Sequence, residues 1–454
     1  MKNLSMLLTA ALLLVYGNVM AQEDDDVVRY NQYGVKVDRD VLRAEQRNNV
    51  LVFESKDGSY KFWFDNRVQI DGAAFWGLDK DFDKIGNNAS IRRARFAVKG
   101  QITKDWYGEV DLDFANGTCE LKDAIIEFSG IKNIAIKAGN FKEDFSMEQT
   151  TSSRYLAFME RPMVIKALVP SRHIGLQVEY LRDHFRASGG MFFQTVAGTE
   201  EITNVEDNNK DYGRSQGYSF TGKVGYMPYT KDRKAGLYFG AKASYRTPKT
   251  DEAVGDYGGA RYSTRNSTSI NRKKYLDTDV IKDVNHTVIY GLESAGYYGP
   301  FRYQTEYIAN HTSALVNSYK FDGYYAQIGC LLFGGQQRFN VSEGEFTQPS
   351  RGKKWGDLEL MLRHDYLTLN DKDIFGGSGQ NYTVGLNFYV NNAVKFVLNY
   401  QYSDNDRYAN GKGKLFVGHD VTGAPTKDYT KVAEGKGKAG VSYHMIGLRM
   451  EIDF

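Results

Sequence analysis

The chain of 454 residues carries 46 glycines, 32 tyrosines and 26 phenylalanines against only 7 prolines, a composition of many strands rather than of helices or disorder. A formal charge of +2 excludes a strongly basic nucleic-acid binder, and 2 cysteines, Cys119 and Cys330, exclude a disulfide framework or a cysteine-built zinc site. Mean hydropathy is −0.51 and, past the N-terminus, no apolar run nears the roughly 20 residues of a spanning helix; a polytopic helical protein is excluded, a membrane barrel is not.

Residues 1–21 read as a cleavable export signal. Lys2 supplies the positive start, Leu7 to Val15 the apolar stretch, and Val19-Met20-Ala21 a cleavage site before Gln22. No cysteine follows it, which excludes a lipoprotein anchor. Residues 22–56, with the acidic run Glu23-Asp24-Asp25-Asp26, are expected to form a polar periplasmic N-terminal segment, and 57–454 the main domain.

From Tyr60 onward the sequence alternates. Phe62, Phe64, Val68, Ile70 and Trp76 share one parity, and Asp65, Arg67, Gln69 and Asp71 the other, a period of two that no helix shows. Ala94, Phe96 and Val98 against Arg93, Arg95 and Lys99 repeat the pattern. So do Val110 and Leu112 against Glu109, Asp111 and Asp113. Alternation alone fits a sandwich with a dry core as well as a barrel with a lipid-facing coat. Runs near the ~9–11 residues of a tilted membrane strand favour the barrel. Aromatics near strand ends (Trp76, Trp106, Tyr180, Tyr226, Tyr245, Tyr307, Tyr366, Tyr402) point the same way, as does an amphipathic last strand closing on Phe454. The expected fold is all-β: a closed antiparallel transmembrane β-barrel of about 16 strands with a long loop folded into the lumen. It requires Phe96, Val110 and Leu448 to face outward.

Sixteen strand starts are expected near Tyr60, Ile91, Trp106, Glu120, Ile134, His173, Phe185, Tyr218, Gly236, Asn285, Phe301, Asp322, Trp355, Asn381, Ala393 and Gly440. Short connections at 103–105, 130–133, 181–184, 295–300 and 391–392 are expected on the periplasmic side. The long ones, including 141–172, 247–284 and 405–438, are expected outside or in the pore. Segment 334–354 falls on the short side yet has 21 residues, so either the flanking strands run on or the count is off by a hairpin.

Several stretches between Phe62 and Tyr180 resemble the phosphate-selective porin O and P family. They are Ile91-Arg92-Arg93-Ala94-Arg95, Lys104-Asp105-Trp106, Leu121-Lys122-Asp123-Ala124, Gly139-Asn140-Phe141-Lys142-Glu143, Thr151-Ser152-Ser153-Arg154-Tyr155, Phe158-Met159-Glu160-Arg161 and Pro170-Ser171-Arg172 before His173-Ile174-Gly175. The resemblance implies a sixteen-stranded, trimeric outer-membrane channel whose third long loop folds inward and which takes up phosphate or related anions.

Anion passage calls for cations where water is scarce, and arginine offers a planar two-pronged donor that stays charged. The candidate lining is Arg67, Arg92, Arg93 and Arg95 on the first strands, with Asp123, and Lys142, Arg154, Arg161, Lys166 and Arg172 in or beside 141–172. The competing reading pairs these cations with Glu109, Asp111, Asp113 and Asp123 as wall structure. Loop 141–172 holds five basic and four acidic residues, so a non-selective small-solute porin is the alternative unless the loop turns its acids away. A barrel enzyme is a further alternative, but the 7 histidines are scattered without a motif. No catalytic residue, cofactor or metal is expected; the expected partners are small anionic solutes, outer-membrane lipid and two further copies of the chain.

Overall fold

The computed structural model describes residues 28–37, 41–47, 49–78, 80–193, 195–196, 217–231, 234–248, 258–406, 415–434 and 439–454. The export signal expected at 1–21 lies outside them. The chain divides into two compact units, Met1–Leu42 and Arg43–Phe454. In the first, Arg29–Tyr30 pairs with Lys36–Val37 around Asn31, whose Oδ1 accepts the amides of Tyr33 and Val35 at 2.9 and 3.0 Å.

Sixteen long strands build the second unit: β1 (Lys61–Trp76), β2 (Asn88–Ile102), β3 (Trp106–Asp113), β4 (Glu120–Ile131), β5 (Ile134–Lys142), β6 (Arg172–Arg182), β7 (Phe185–Phe192), β8 (Ser219–Lys231), β9 (Ala235–Arg246), β10 (Val284–Tyr298), β11 (Phe301–Ala314), β12 (Ser318–Leu331), β13 (Asp357–Asp371), β14 (Ile374–Tyr389), β15 (Val394–Asp406) and β16 (Gly440–Asp453). Each pairs antiparallel with the next, and β16 returns to β1 from His444 beside Trp76 to Asp453 beside Arg67, so the sheet closes. Beyond the end of β16, a hairpin of Arg43–Arg47 and Val50–Glu54 takes the edge of β1, with Val52 opposite Trp63.

Phe96, Val110 and Leu448 are 41, 49 and 51% exposed, whereas Arg67, Gln69 and Asp71 on the other parity are buried. An apolar outside around a polar inside is a membrane barrel, not a sandwich. Among the described residues no helix is long and apolar enough to cross a membrane.

Fifteen strands begin within four residues of their expected starts; β14 begins at Ile374, seven before Asn381. Its opening Gly376-Gly377-Ser378-Gly379 has turn composition but continues the strand through a bulge opposite Thr368–Asn370, in a space crowded by Leu369 and Asn405 of the neighbouring strands and by the incoming loop. A Cβ at Gly376 would sit 3.0 Å from Thr278 Cγ2, and one at Gly379 would sit 3.1 Å from Leu276 Cδ1. Neither expectation for 334–354 holds. The strands stop at Leu331 and Asp357, and the segment turns inward as a hairpin of Phe339–Asn340 and Glu345–Phe346. At the opposite, long-loop end, 315–317 and 372–373 are short connections, so loop length does not alternate strictly.

The lumen is half filled. Residues 143–171, between β5 and β6, carry two short helices, α1 (Met147–Thr150) and α2 (Met163–Leu168). Phe145, Met163, Val164, Ile165 and Leu168 pack with Ile289, Ile308, Phe321, Tyr325, Leu367 and Leu369 from the inner face of β10 to β13. Burial on this scale contributes roughly 1.5–3 kcal/mol per large side chain. Leu276 and Ile281 of the β9–β10 loop join the same core. From the short-turn end, Phe346 packs with Met147, Tyr238 and Tyr297. Glu293 accepts the Met147 amide at 3.0 Å and Glu306 that of Glu148 at 2.8 Å, satisfying donors that a helix start leaves open.

Candidate functional site

The inner face of β1 to β7 stays clear of this packing and borders a cavity of about 460 Å³. Strand register sets its charge pattern. Arg67 lies opposite Arg95, Asp111 opposite Asp123, and Lys142 opposite Arg172. Like charges facing across a ladder repel, so each pair leans on the next. Arg95 reaches Asp111 at 3.0 Å and Asp113 at 3.4 Å. From β6, Arg172 spans β5 to hold Asp123 with two bonds of 2.9 and 2.6 Å. Lys99 ties Asp65 at 2.8 Å and Glu109 at 3.3 Å, and Lys137 ties Glu179 at 3.1 Å. Carboxylate oxygens of Glu109, Asp111 and Asp123 gather within 4.8 Å of one another, with Lys99, Arg95 and Arg172 as their counter-charges. Seven basic and nine acidic side chains line the cavity, so the middle of the lumen is a mixed, slightly acidic wall.

Toward the long-loop end the balance reverses. A β-bulge places Gln69 opposite Arg93 and Ile70 opposite Ile91, leaving Arg92 unopposed. The bulge turns both Arg92 and Arg93 inward, where strict alternation would send one of them to lipid. Glu160, from the inward loop, accepts Arg92 and, at 2.6 Å, Lys166. Burial pushes this carboxyl up, but Arg92 and Lys166 outweigh it and hold it well below the usual carboxylate range. Burial lowers the Lys166 ammonium to about 8 despite Glu160. Arg449 closes on Asp71 with bonds of 2.7 and 2.8 Å. Among the described residues, Arg93 has Gln69 as its hydrogen-bond partner and no carboxylate in ion-pair contact. A vestibule of about 230 Å³ here is lined by Arg92, Lys122, Lys166, Arg265 and Arg272 against Asp113, Glu120 and Glu160. At the short-turn end, a mouth of about 700 Å³ presents Arg154, Arg338, Arg351, Lys353 and Lys354 against Asp65 and Asp453.

The expected lining residues thus divide. Arg67, Arg95, Asp123, Lys142 and Arg172 border the central cavity. Arg92 and Lys166 border the vestibule, and Arg154 the mouth, where it pairs with Asp65. Arg67 bonds Asp453 at 2.8 Å. Arg161 donates to the carbonyls of Glu148, Gln149 and Thr151, and Lys142 to those of Thr150 and Thr151; both finish the C-terminal end of α1. The loop turns two of its four acids, Glu143 and Glu148, from the opening, while Asp144 borders the central cavity and Glu160 the vestibule. Glu143 meets Arg246 and His173, Asp144 meets Arg186, and Glu148 receives Gln304 at 3.0 Å. Sequence reasoning missed Arg265, Arg449 and the charges of 338–354; the anomalous length of that last segment was the available signal.

Comparison with known proteins gives one family. The model for phosphate-selective porin O and P matches residues 63–422. Porin O of Pseudomonas aeruginosa is 24% identical over 395 residues, covering 80% of this chain and 87% of its own. An uncharacterized protein of Caulobacter vibrioides is 27% identical over 353 residues, covering 77% of this chain and 69% of its own. Among solved structures, the in-vitro folded trimer form of OmpT from Vibrio cholerae matches with a TM-score of 0.50 at 11% identity, over 87% of this chain and all of that one, a likeness of fold.

Proposed function

The chain belongs to the phosphate-selective porin O and P family, an outer-membrane barrel of bacteria, and on that premise we propose that it passes small anions, phosphate or related oxyanions among them, down their gradient without turnover. The observation that carries the reading is the basic excess at both rims: five basic against three acidic side chains in the vestibule, and five against two at the mouth. Such rims raise the local anion concentration, and in a low-dielectric passage guanidinium groups replace part of an anion's hydration shell. Arg92 and Lys166, which border the vestibule, are placed to exchange water for a passing oxyanion, whereas Arg93 is buried, holds Gln69 and borders none of the three described cavities.

In this reading residues 1–21 direct export, 22–56 form a polar periplasmic lead-in to the barrel of 57–454, and three copies assemble side by side in outer-membrane lipid. The test is the zero-current potential of the reconstituted channel across a potassium chloride gradient, repeated with phosphate added. The expected result is a potential on the chloride side and a chloride current that phosphate reduces. A potential on the potassium side overturns it. A second reading, a porin for small solutes regardless of charge, is favoured by the cross-paired central wall. It predicts a potential near zero and no effect of phosphate.

A further inference from the structure

The hairpin that enters from the short-turn end brings two acids into the path of the anions. It is held there firmly. Phe346 packs in the cluster with Met147, Tyr238 and Tyr297, and Arg186 donates to the Glu343 carbonyl oxygen at 2.9 Å. Glu343 and Glu345 both line the central cavity, which Arg67, Arg95 and Arg172 also border. Unlike the acids of the strand wall, neither is in ion-pair contact among the described residues. Glu343 is exposed to the cavity, and Glu345 is 7% exposed.

We propose that Glu343 and Glu345 form a second charge filter that opposes the basic rims, so that the hairpin sets how strongly this channel prefers anions. The proposal rests on the reading of the lumen as an anion passage and adds its control element. An unpaired carboxylate in a narrow aqueous path repels anions and recruits cations, and the wall around it has no surplus of positive charge to cancel it. Lys137, Glu179, Arg186 and Asp144 face Glu343; Lys142 and Arg161 face Glu345, which also accepts the Ser152 amide. Burial pushes the Glu345 carboxyl up to about 7 although Lys142 pulls it down. Below that pH the acid is neutral and its repulsion is gone, so anion preference rises on acidification.

The experiment measures the chloride-to-potassium permeability ratio from zero-current potentials in planar bilayers between about pH 5 and about pH 8. Wild type is compared with Glu343→Gln/Glu345→Gln and with Glu345→Asp, each checked for heat-modifiable gel mobility as proof of a closed barrel. The expected result at the alkaline end is a ratio about threefold higher in the double variant than in wild type. Wild type gains the Glu345 part of that increase on acidification, around the Glu345 titration, and the double variant loses that step while Glu345→Asp keeps one. A double variant that folds and shows the wild-type ratio and the wild-type pH profile overturns the proposal. Should wild type itself favour potassium at every pH, the anion-passage reading fails instead, and the double variant still reports separately whether these acids set the ratio. If the glutamine variant does not fold, the Glu345→Asp profile decides, because a pH step identical in amplitude and midpoint to wild type contradicts a role for this carboxyl.

Discussion

The inner faces of β1–β7 and β10–β13 obey the same alternation and end in opposite states. On β1–β7 the inward side chains are long and charged, and they satisfy one another across neighbouring strands: Arg95 with Asp111, Lys99 with Asp65, Arg172 with Asp123. No apolar packing then has to cover them, and a cavity stays open beside them. On β10–β13 the inward set includes Ile289, Ile308, Phe321, Tyr325, Leu367 and Leu369, which are buried because Phe145, α2 and Leu276 and Ile281 of the β9–β10 loop come to meet them. A cluster of apolar inward positions in a barrel is therefore a docking point for a loop, helped here by the buried carboxylates Glu293 and Glu306 that accept its amides, whereas charges that pair across neighbouring strands form a wall of the passage. Glycines mark where the contact is closest: a Cβ at Gly447 would lie 2.7 Å from Met159 Sδ, and one at Gly385 would lie 3.0 Å from Phe158.

The contrast can be broken from either side. The largest effect is expected from Phe145→Ala, which removes a fully buried ring from the filled half. It should weaken loop attachment by about 4 kcal/mol and raise single-channel conductance and its noise, read in planar bilayers. In the open half, Arg172→Ala leaves Asp123 without its two-pronged partner. A loss of about 3 kcal/mol in thermal stability is expected, together with a shift of the zero-current potential toward potassium. Arg93→Ala should sharpen the picture, since its partner is an amide: stability stays within about 1 kcal/mol of wild type while the anion-to-cation ratio falls roughly twofold. The smallest effect is a titration. Lys166, with an ammonium near 8, is a cation below that pH and neutral above it, so anion preference should fall as pH rises through 8. Lys166→Met should remove that alkaline step and leave the Glu345 step in place.

The fold was largely legible because a period of two needs only local sequence: Trp106, Glu120, Ile134, Phe185, Phe301 and Gly440 open strands where the alternation begins. Parity also assigned Arg67, Arg93 and Arg95 to the lumen. It could not assign Arg92, because the bulge that turns it inward is a property of the pairing with Gln69 and Ile70, not of β2 alone. Height along the pore was equally out of reach. That Arg172 meets Asp123, or that Glu160 serves both Arg92 and Lys166, follows from register and loop path, which connect residues 49 and 68 positions apart. The start of β14 was hidden for the same reason, since its glycines answer to Leu369, Asn405, Leu276 and Thr278 and not to a turn.

The middle of the passage runs along β1–β7 and not along the packed face of β10–β13, and paired cysteine probes discriminate the two faces. In a chain with Cys119 and Cys330 replaced by serine, Ile125→Cys borders the central cavity and Thr312→Cys sits buried on β11 beneath Tyr262 of the β9–β10 loop. A small charged thiol reagent added to the reconstituted channel should modify Ile125→Cys within seconds and reduce its current, leaving Thr312→Cys untouched. Equal reaction at both positions, or reaction at Thr312→Cys alone, would contradict it.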